Sequence, residues 1–147
     1  MILEAVKQNP KLKLTNIDLS GNSFGPTGIS NLFKAFQLMQ SLVSLTLSGV
    51  VQKSDAAAMK LLLAGAKQCS TLRTLDISAN QGANDAIPEL ISLLTSLVHH
   101  LRFLNISKLG LQPKNIDKVE QALISEFGKD FNLNCTLRVL KWEDNMS

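Results

Sequence analysis

A six-residue phrase of the form Leu-x-x-Leu-x-Leu, with isoleucine or tryptophan replacing some leucines, runs through the chain. It occurs as LTNIDL at 14–19, LVSLTL at 42–47, LRTLDI at 72–77, LRFLNI at 101–106 and LRVLKW at 137–142. The first leucines stand 28, 30, 29 and 36 residues apart, and self-similarity at such a period marks a repeat architecture. Inside each phrase the apolar positions alternate with other residues, which predicts a strand of three or four residues that sends the fourth and sixth side chains inward. Between phrases the period changes. After the first one, SGNSFGPTG at 20–28 breaks the chain with turn formers, and Phe24 is expected to point back to the core. Ile29, Leu32, Phe33, Phe36 and Met39 then recur at the spacing of one helix face.

The later units follow the same logic. Met59, Leu61 and Leu62 mark a second, alanine-rich helix, and Ile87, Leu90, Ile91, Leu94 and Leu97 mark a third. Pro88 fits the first turn of that third helix, behind Asn84 and Asp85 as candidate caps. Ile116, Val119, Leu123 and Phe127 mark a fourth, after Pro113. Parallel strands need crossovers of about a dozen residues or more, and each helix supplies one. The expected fold is therefore α/β: a right-handed solenoid with one parallel sheet of about five strands on its concave side and helices on its convex side. Residues 1–147 read as one domain. Residues 1–9 have the composition of a helix tail, and the chain stops directly after a strand phrase. This points to a piece of a longer solenoid, or to ends that self-associate.

Units of this length, with the form L-x-x-L-x-L-x-x-N-x-φ-x-x-x-G, resemble the ribonuclease-inhibitor-like class of leucine-rich repeats, and residues 14–28 match it through Asn22, Phe24 and Gly28. Within that class, the ending CTLRVLKWEDN at 135–145 and the irregular unit lengths are similar to the solenoid of CARMIL-type regulators of actin capping protein. Tropomodulin and GTPase-activating proteins of the Ran type share the class and are the competing resemblances. The resemblance implies a non-enzymatic interaction scaffold in actin regulation, cytoplasmic and cytoskeletal, with a protein partner. In the CARMIL type the segment that binds capping protein lies outside the repeats, and no such segment occurs in these residues.

In such repeats the ninth position of each unit carries Asn or Cys, whose side chain satisfies loop backbone groups. Here that position holds Asn22, Val50, Asn80, Leu109 and Asn145. The loops at Val50 and Leu109 are therefore expected to be held by apolar packing. The fourth unit is also about seven residues longer than its neighbours, from the spacings above, so residues 128–136 are expected to bulge where the helix returns to the sheet.

Composition narrows the function. Fifteen basic and twelve acidic residues give a net charge of +3, with no run of five or six like charges, which does not point to nucleic acid. No stretch approaches the roughly 18 apolar residues of a membrane span, and the first residues, MILEAV, lack the charged start of a signal peptide. Cys69 and Cys135 precede phrases two units apart. At about 4.8 Å per strand they would stand roughly 10 Å from each other, beyond the reach of a disulfide at about 7 Å. Free thiols in a reducing compartment are expected.

Chemistry is poorly provided for. His99 and His100 are the only histidines, adjacent and with no ligand partner at metal spacing, and no phosphate-binding or nucleophile motif is present. No catalysis, cofactor or metal is expected. The outward strand positions form columns instead: Asn16, Ser44, Thr74, Phe103 and Val139; then Asp18, Thr46, Asp76, Asn105 and Lys141; then Ser20, Ser48, Ser78, Ser107 and Glu143. Small polar residues fit a crowded inner curve. Phe103 and Val139 stand out as an apolar patch, and with Asp76, Asn105 and Lys141 they are the candidate partner-binding residues. A further column, Thr15, Val43, Arg73, Arg102 and Arg138, carries a basic ridge of three arginines, an arrangement that suits solvent or an acidic partner.

Overall fold

Each phrase holds a three-residue strand at its third to fifth positions. A computed structural model describes residues 5, 8, 9, 13–97, 100–134 and 139–141, with side-chain surroundings as far as Glu126. In chain order the elements are β1 (Asn16–Asp18), α1 (Pro26–Gln37), β2 (Ser44–Thr46), α2 (Ala56–Gln68), β3 (Thr74–Asp76), a 3-10 turn (Ala83–Asp85), α3 (Ile87–Leu97), β4 (Phe103–Asn105), α4 (Pro113–Asn134) and β5 (Val139–Lys141). The architecture is α/β with a parallel sheet, in the order β1-β2-β3-β4-β5. Its register places Ile17, Leu45, Leu75, Leu104 and Leu140 in one row.

From β1 to β4 that row and the one two residues on form the inner face. Leu45, Leu75, Leu104, Leu47, Ile77 and Ile106 have no exposed surface, while Ile17 and Leu19 of the first unit are only partly buried. The helices form a second layer in which α1 packs on α2, α2 on α3 and α3 on α4. Ile29, Leu32, Phe33, Phe36 and Met39 are buried as the spacing predicts, and so are Ile87, Leu90, Leu94, Leu97, Val119 and Leu123. Ile91 and Ile116 pack at the margin. Phe127 lies outside the residues whose surroundings are described.

Three expectations need correction. Leu61 is 38% exposed, because α2 buries Ala58, Met59, Leu62, Leu63 and Ala66, a stripe at i, i+1, i+4, i+5 and i+8 that leaves position 61 on the solvent side. Residues 128–134 do not bulge; they lengthen α4 to 22 residues, against 12, 13 and 11 in α1, α2 and α3. Asn84 does not cap α3. Its carboxamide crosses to the next unit, donating to Gly110 O at 2.8 Å and accepting from Gln112 N and Asn115 Nδ2, both at 2.8 Å.

Local chemistry accounts for the helix starts. Pro26 opens α1, where a missing N–H costs nothing. Asp55 caps α2 by accepting from Ala58 N at 3.0 Å, and the Ser54-Asp55 pair ahead of the alanine run is the signal for it in the sequence. Gly65 lies under the ring of Phe33, where a Cβ would overlap the ring carbons, so the two helices approach closely at that point. Phe33 in turn meets Phe36 edge-on, with centroids 5.3 Å apart.

Candidate functional site

The turns that follow the strands set the outer face, and one asparagine joins two of them. Asn80 is fully buried. Its Oδ1 accepts from Val50 N and Val51 N, both at 2.8 Å, and its Nδ2 donates to Leu47 O at 2.9 Å and Ile77 O at 2.7 Å. All four hydrogen-bonding positions of the amide are used. The loop of the second unit is thus held by an amide reaching back from the third, as well as by burial of Val50, which corrects the expectation of apolar packing alone. Leu109 is likewise buried. In the eighth position of each of the first four units the backbone turns left-handed, with φ of 77° at Gly21, 66° at Gly49, 56° at Ala79 and 57° at Lys108. Glycine fills that position in two units, and alanine and lysine carry strain there in the other two.

The outward columns are real as backbone register. Asn16, Ser44, Thr74, Phe103 and Val139 are successive partners, as are Asp18, Thr46, Asp76, Asn105 and Lys141. Phe103 is partly buried on the outward face, next to Val139 of β5. The side chains of Val139 and Lys141 lie outside the described surroundings, and Arg138 and Glu143 lie outside the described residues.

Asp76 and Asn105 are occupied by the protein itself. Asp76 Oδ1 accepts from Ser78 N at 2.9 Å and from the Ser78 hydroxyl at 2.6 Å, while its Oδ2 accepts from Asn105 Nδ2 at 3.2 Å. Asn105 Oδ1 accepts from Ser107 N at 3.0 Å. Asp18 makes the same turn with Ser20 N at 2.9 Å, and the Ser20 hydroxyl and N–H hold its carboxyl below the usual carboxylate range. These are Asx turns, and they end β1, β3 and β4. Within the serine column Ser20 is exposed and Ser48 half-buried, whereas Ser78 and Ser107 are buried, and the Ser48 and Ser78 hydroxyls hydrogen-bond at 3.0 Å.

The ridge one residue ahead of each strand is also a backbone ladder. Val43 N donates to Thr15 O, Arg73 N to Val43 O and Arg102 N to Arg73 O, each at 2.8 Å. Arg73 and Arg102 are exposed. The Arg73 guanidinium folds back onto Leu72 O at 2.8 Å and Ser70 O at 3.3 Å, so its own turn takes part of its donor capacity.

Elsewhere the chemistry is sparse. A cleft of about 320 Å³ between α2 and α3 is lined by Lys67, Glu89 and Ser92; Lys67 Nζ donates to the Ser92 hydroxyl at 2.8 Å, and Glu89 Oε2 is buried without a partner. Cys69 is a free, buried thiol that burial pushes up to about 11, so it stays protonated near neutral pH. Cys135 and His99 lie outside the described residues, and His100 is exposed just past α3. Among the described residues no three His, Cys, Asp or Glu side chains gather as a metal site, and no helix is long and apolar enough to cross a membrane. No protein-family model matches the chain, and no curated protein matches it either.

Proposed function

We propose that this chain is part of a leucine-rich-repeat solenoid of the ribonuclease-inhibitor-like class. In this reading it works as a non-enzymatic protein-interaction scaffold in the cytoplasm, within a CARMIL-type regulator of actin dynamics. The observation that carries the binding claim is the position of Phe103. A large apolar side chain lies partly exposed on the outward face, in register with Val139, in a column whose other members are asparagine, serine and threonine. Such a patch inside a polar frame suits the apolar centre of a protein interface. The hydrogen-bonded turn beside it, in which Asn105 bonds Asp76 and Ser107, pre-orders the surface and reduces the ordering cost of binding.

Replacing Phe103 and Val139 together by serine is expected to leave the circular dichroism spectrum unchanged and to reduce capture of partner proteins from a cell lysate. Unaltered capture would contradict the binding role of this patch. Identification of the captured proteins separates the resemblances, with actin-regulatory proteins expected here and a small GTPase under the competing one.

A further inference from the structure

The charged residues of the repeats are sorted by edge. From residue 13 to residue 116 the acidic side chains are Asp18, Asp55, Asp76, Asp85 and Glu89. Asp18 and Asp76 close β1 and β3, Asp55 caps α2, Asp85 lies in the 3-10 turn and Glu89 in the first turn of α3. All five therefore stand on the edge where strands end and helices begin. Over the same residues the opposite edge, where helices end and strands begin, holds none, because 19–54, 56–75 and 90–116 contain no Asp or Glu. Lys34 in the last turn of α1, Arg73 and Arg102 are exposed on that edge.

Two large apolar side chains stand among these cations. Leu38, just past α1, is 52% exposed, and Val43, one residue ahead of β2, is 41% exposed. Their exposure belongs to their positions and not to a missing neighbour. Gln68 holds the place of Leu38 one unit on, four residues before the next phrase, and Arg73 holds the place of Val43; both are exposed with described units on either side. Val43 is itself flanked on the backbone ladder by Thr15 and Arg73. The needs of the fold explain part of the charge. Lys34 suits the negative end of a helix, and Lys67 turns along the helices to Ser92. Arg73 and Arg102, however, sit side by side ahead of neighbouring strands, where like charges repel, so the fold alone does not call for the pair.

We infer that this edge is a contact surface for the anionic headgroups of a lipid bilayer, with Lys34, Arg73 and Arg102 attracting the charge and Leu38 and Val43 entering the headgroup layer. The chemistry on offer selects that occupant. A polypeptide laid along the ridge gains affinity from backbone hydrogen bonds, and the ridge has none to give: Val43 N, Arg73 N and Arg102 N donate, and Thr15 O, Val43 O and Arg73 O accept, within the ladder at 2.8 Å. Side chains alone remain, as cations and two apolar groups along a line of turns. An anionic bilayer asks for no more. Each basic side chain near it adds attraction that needs no fixed geometry, and apolar side chains gain by shallow burial. The acids on the far edge are repelled by the same surface, which orients the solenoid with its strand starts toward the bilayer.

The test is flotation of the full chain with lipid vesicles. Vesicles of phosphatidylcholine and phosphatidylserine at about two to one are expected to carry at least about fivefold more protein than phosphatidylcholine alone. The excess should vanish near 1 M salt, where the screening length falls to about 3 Å. Arg73→Glu with Arg102→Glu should cut binding about tenfold. Leu38→Ser with Val43→Ser should cut it about threefold and leave the salt dependence unchanged. Lys53→Glu with Lys114→Glu makes the same change of charge on the acidic edge and should bind as the unaltered chain does. All six residues are exposed, so the unfolding midpoints should hold. Four results would overturn the proposal: no binding at millimolar lipid, equal binding to both kinds of vesicle, insensitivity to the arginine pair, or an equal loss in the lysine pair. Binding of polyglutamate through the two arginines, with none to vesicles, would overturn it too, by assigning the edge to an acidic polypeptide. The paired Phe103 and Val139 variant should bind vesicles normally, so the two surfaces fail or succeed independently.

Discussion

Asn80→Ala is expected to lower the free energy of unfolding by about 3 to 5 kcal/mol, more than most single substitutions do. The substitution removes an amide that satisfies Val50 N, Val51 N, Leu47 O and Ile77 O in a site with no exposed surface. Each stranded buried group costs about 1 to 3 kcal/mol, less where water enters the space left behind. Asn80→Asp is not a rescue. It keeps the acceptor for the two N–H groups but loses both donated bonds, and it either buries a charge or spends free energy on protonation. Asn22→Ala provides the internal contrast. The residue occupies the same position of the repeat, is exposed, and donates to Leu19 O, so its loss is expected to stay within about 0.5 kcal/mol. Denaturant titration of the three variants checks the order. If Asn80→Ala were no more damaging than Asn22→Ala, the amide would not be what joins the second and third turns.

Leu75→Asp is expected to unfold the chain or to leave it with only a small fraction of its stability. Leu75 sits in β3 with no exposed surface, and Leu45 and Leu104 flank it in register. Removing a buried leucine side chain costs roughly 2 to 5 kcal/mol through lost burial and the space left. An unpaired carboxylate adds several more, or shifts its proton affinity to avoid ionising. Against a total of about 5 to 15 kcal/mol for an ordinary domain, that sum is decisive. The damage should be greater at high pH than at low pH, because the penalty belongs to the ionised form. Thr74→Asp, one residue earlier and facing the other way, should be tolerated far better. Circular dichroism and denaturant titration measure both.

The sequence was most legible where one physical rule acted alone. Alternation within the phrase located the strands and their inward residues, since nothing but burial decides which face Leu45 or Leu75 takes. The 3.6-residue period located the α1 and α3 stripes for the same reason. It misplaced Leu61 because the run AAAMKLLLAGA at 56–66 offers several apolar stripes, and the choice among them is made by the neighbouring helices. The extra length of the fourth unit predicts a bulge at residues 128–136, yet residues 128–134 continue α4, because spacing alone does not say whether added residues loop out or lengthen the helix.

The polar side was harder to read because its bonds cross between units about 30 residues apart. Val50 looked like a missing asparagine, yet its turn is held by Asn80, which the phrase places in the next unit. Asp76 and Asn105 looked like free surface groups, and their partners Ser78 and Ser107 stand only two residues on. An Asp-x-Ser or Asn-x-Ser triplet at a strand end was the signal that could have revealed these turns.

The central claim is that inward positions of the strands hold the fold and outward positions hold recognition. Neighbouring residues of β4 test it most directly, since Leu104 is fully buried on one face and Phe103 partly exposed on the other. The measurement is the free energy of unfolding of Phe103→Ser and of Leu104→Ser by denaturant titration. The account predicts a loss of about 3 kcal/mol or more for Leu104→Ser and of about 1 kcal/mol or less for Phe103→Ser. Equal losses, or a larger one at Phe103, would contradict it.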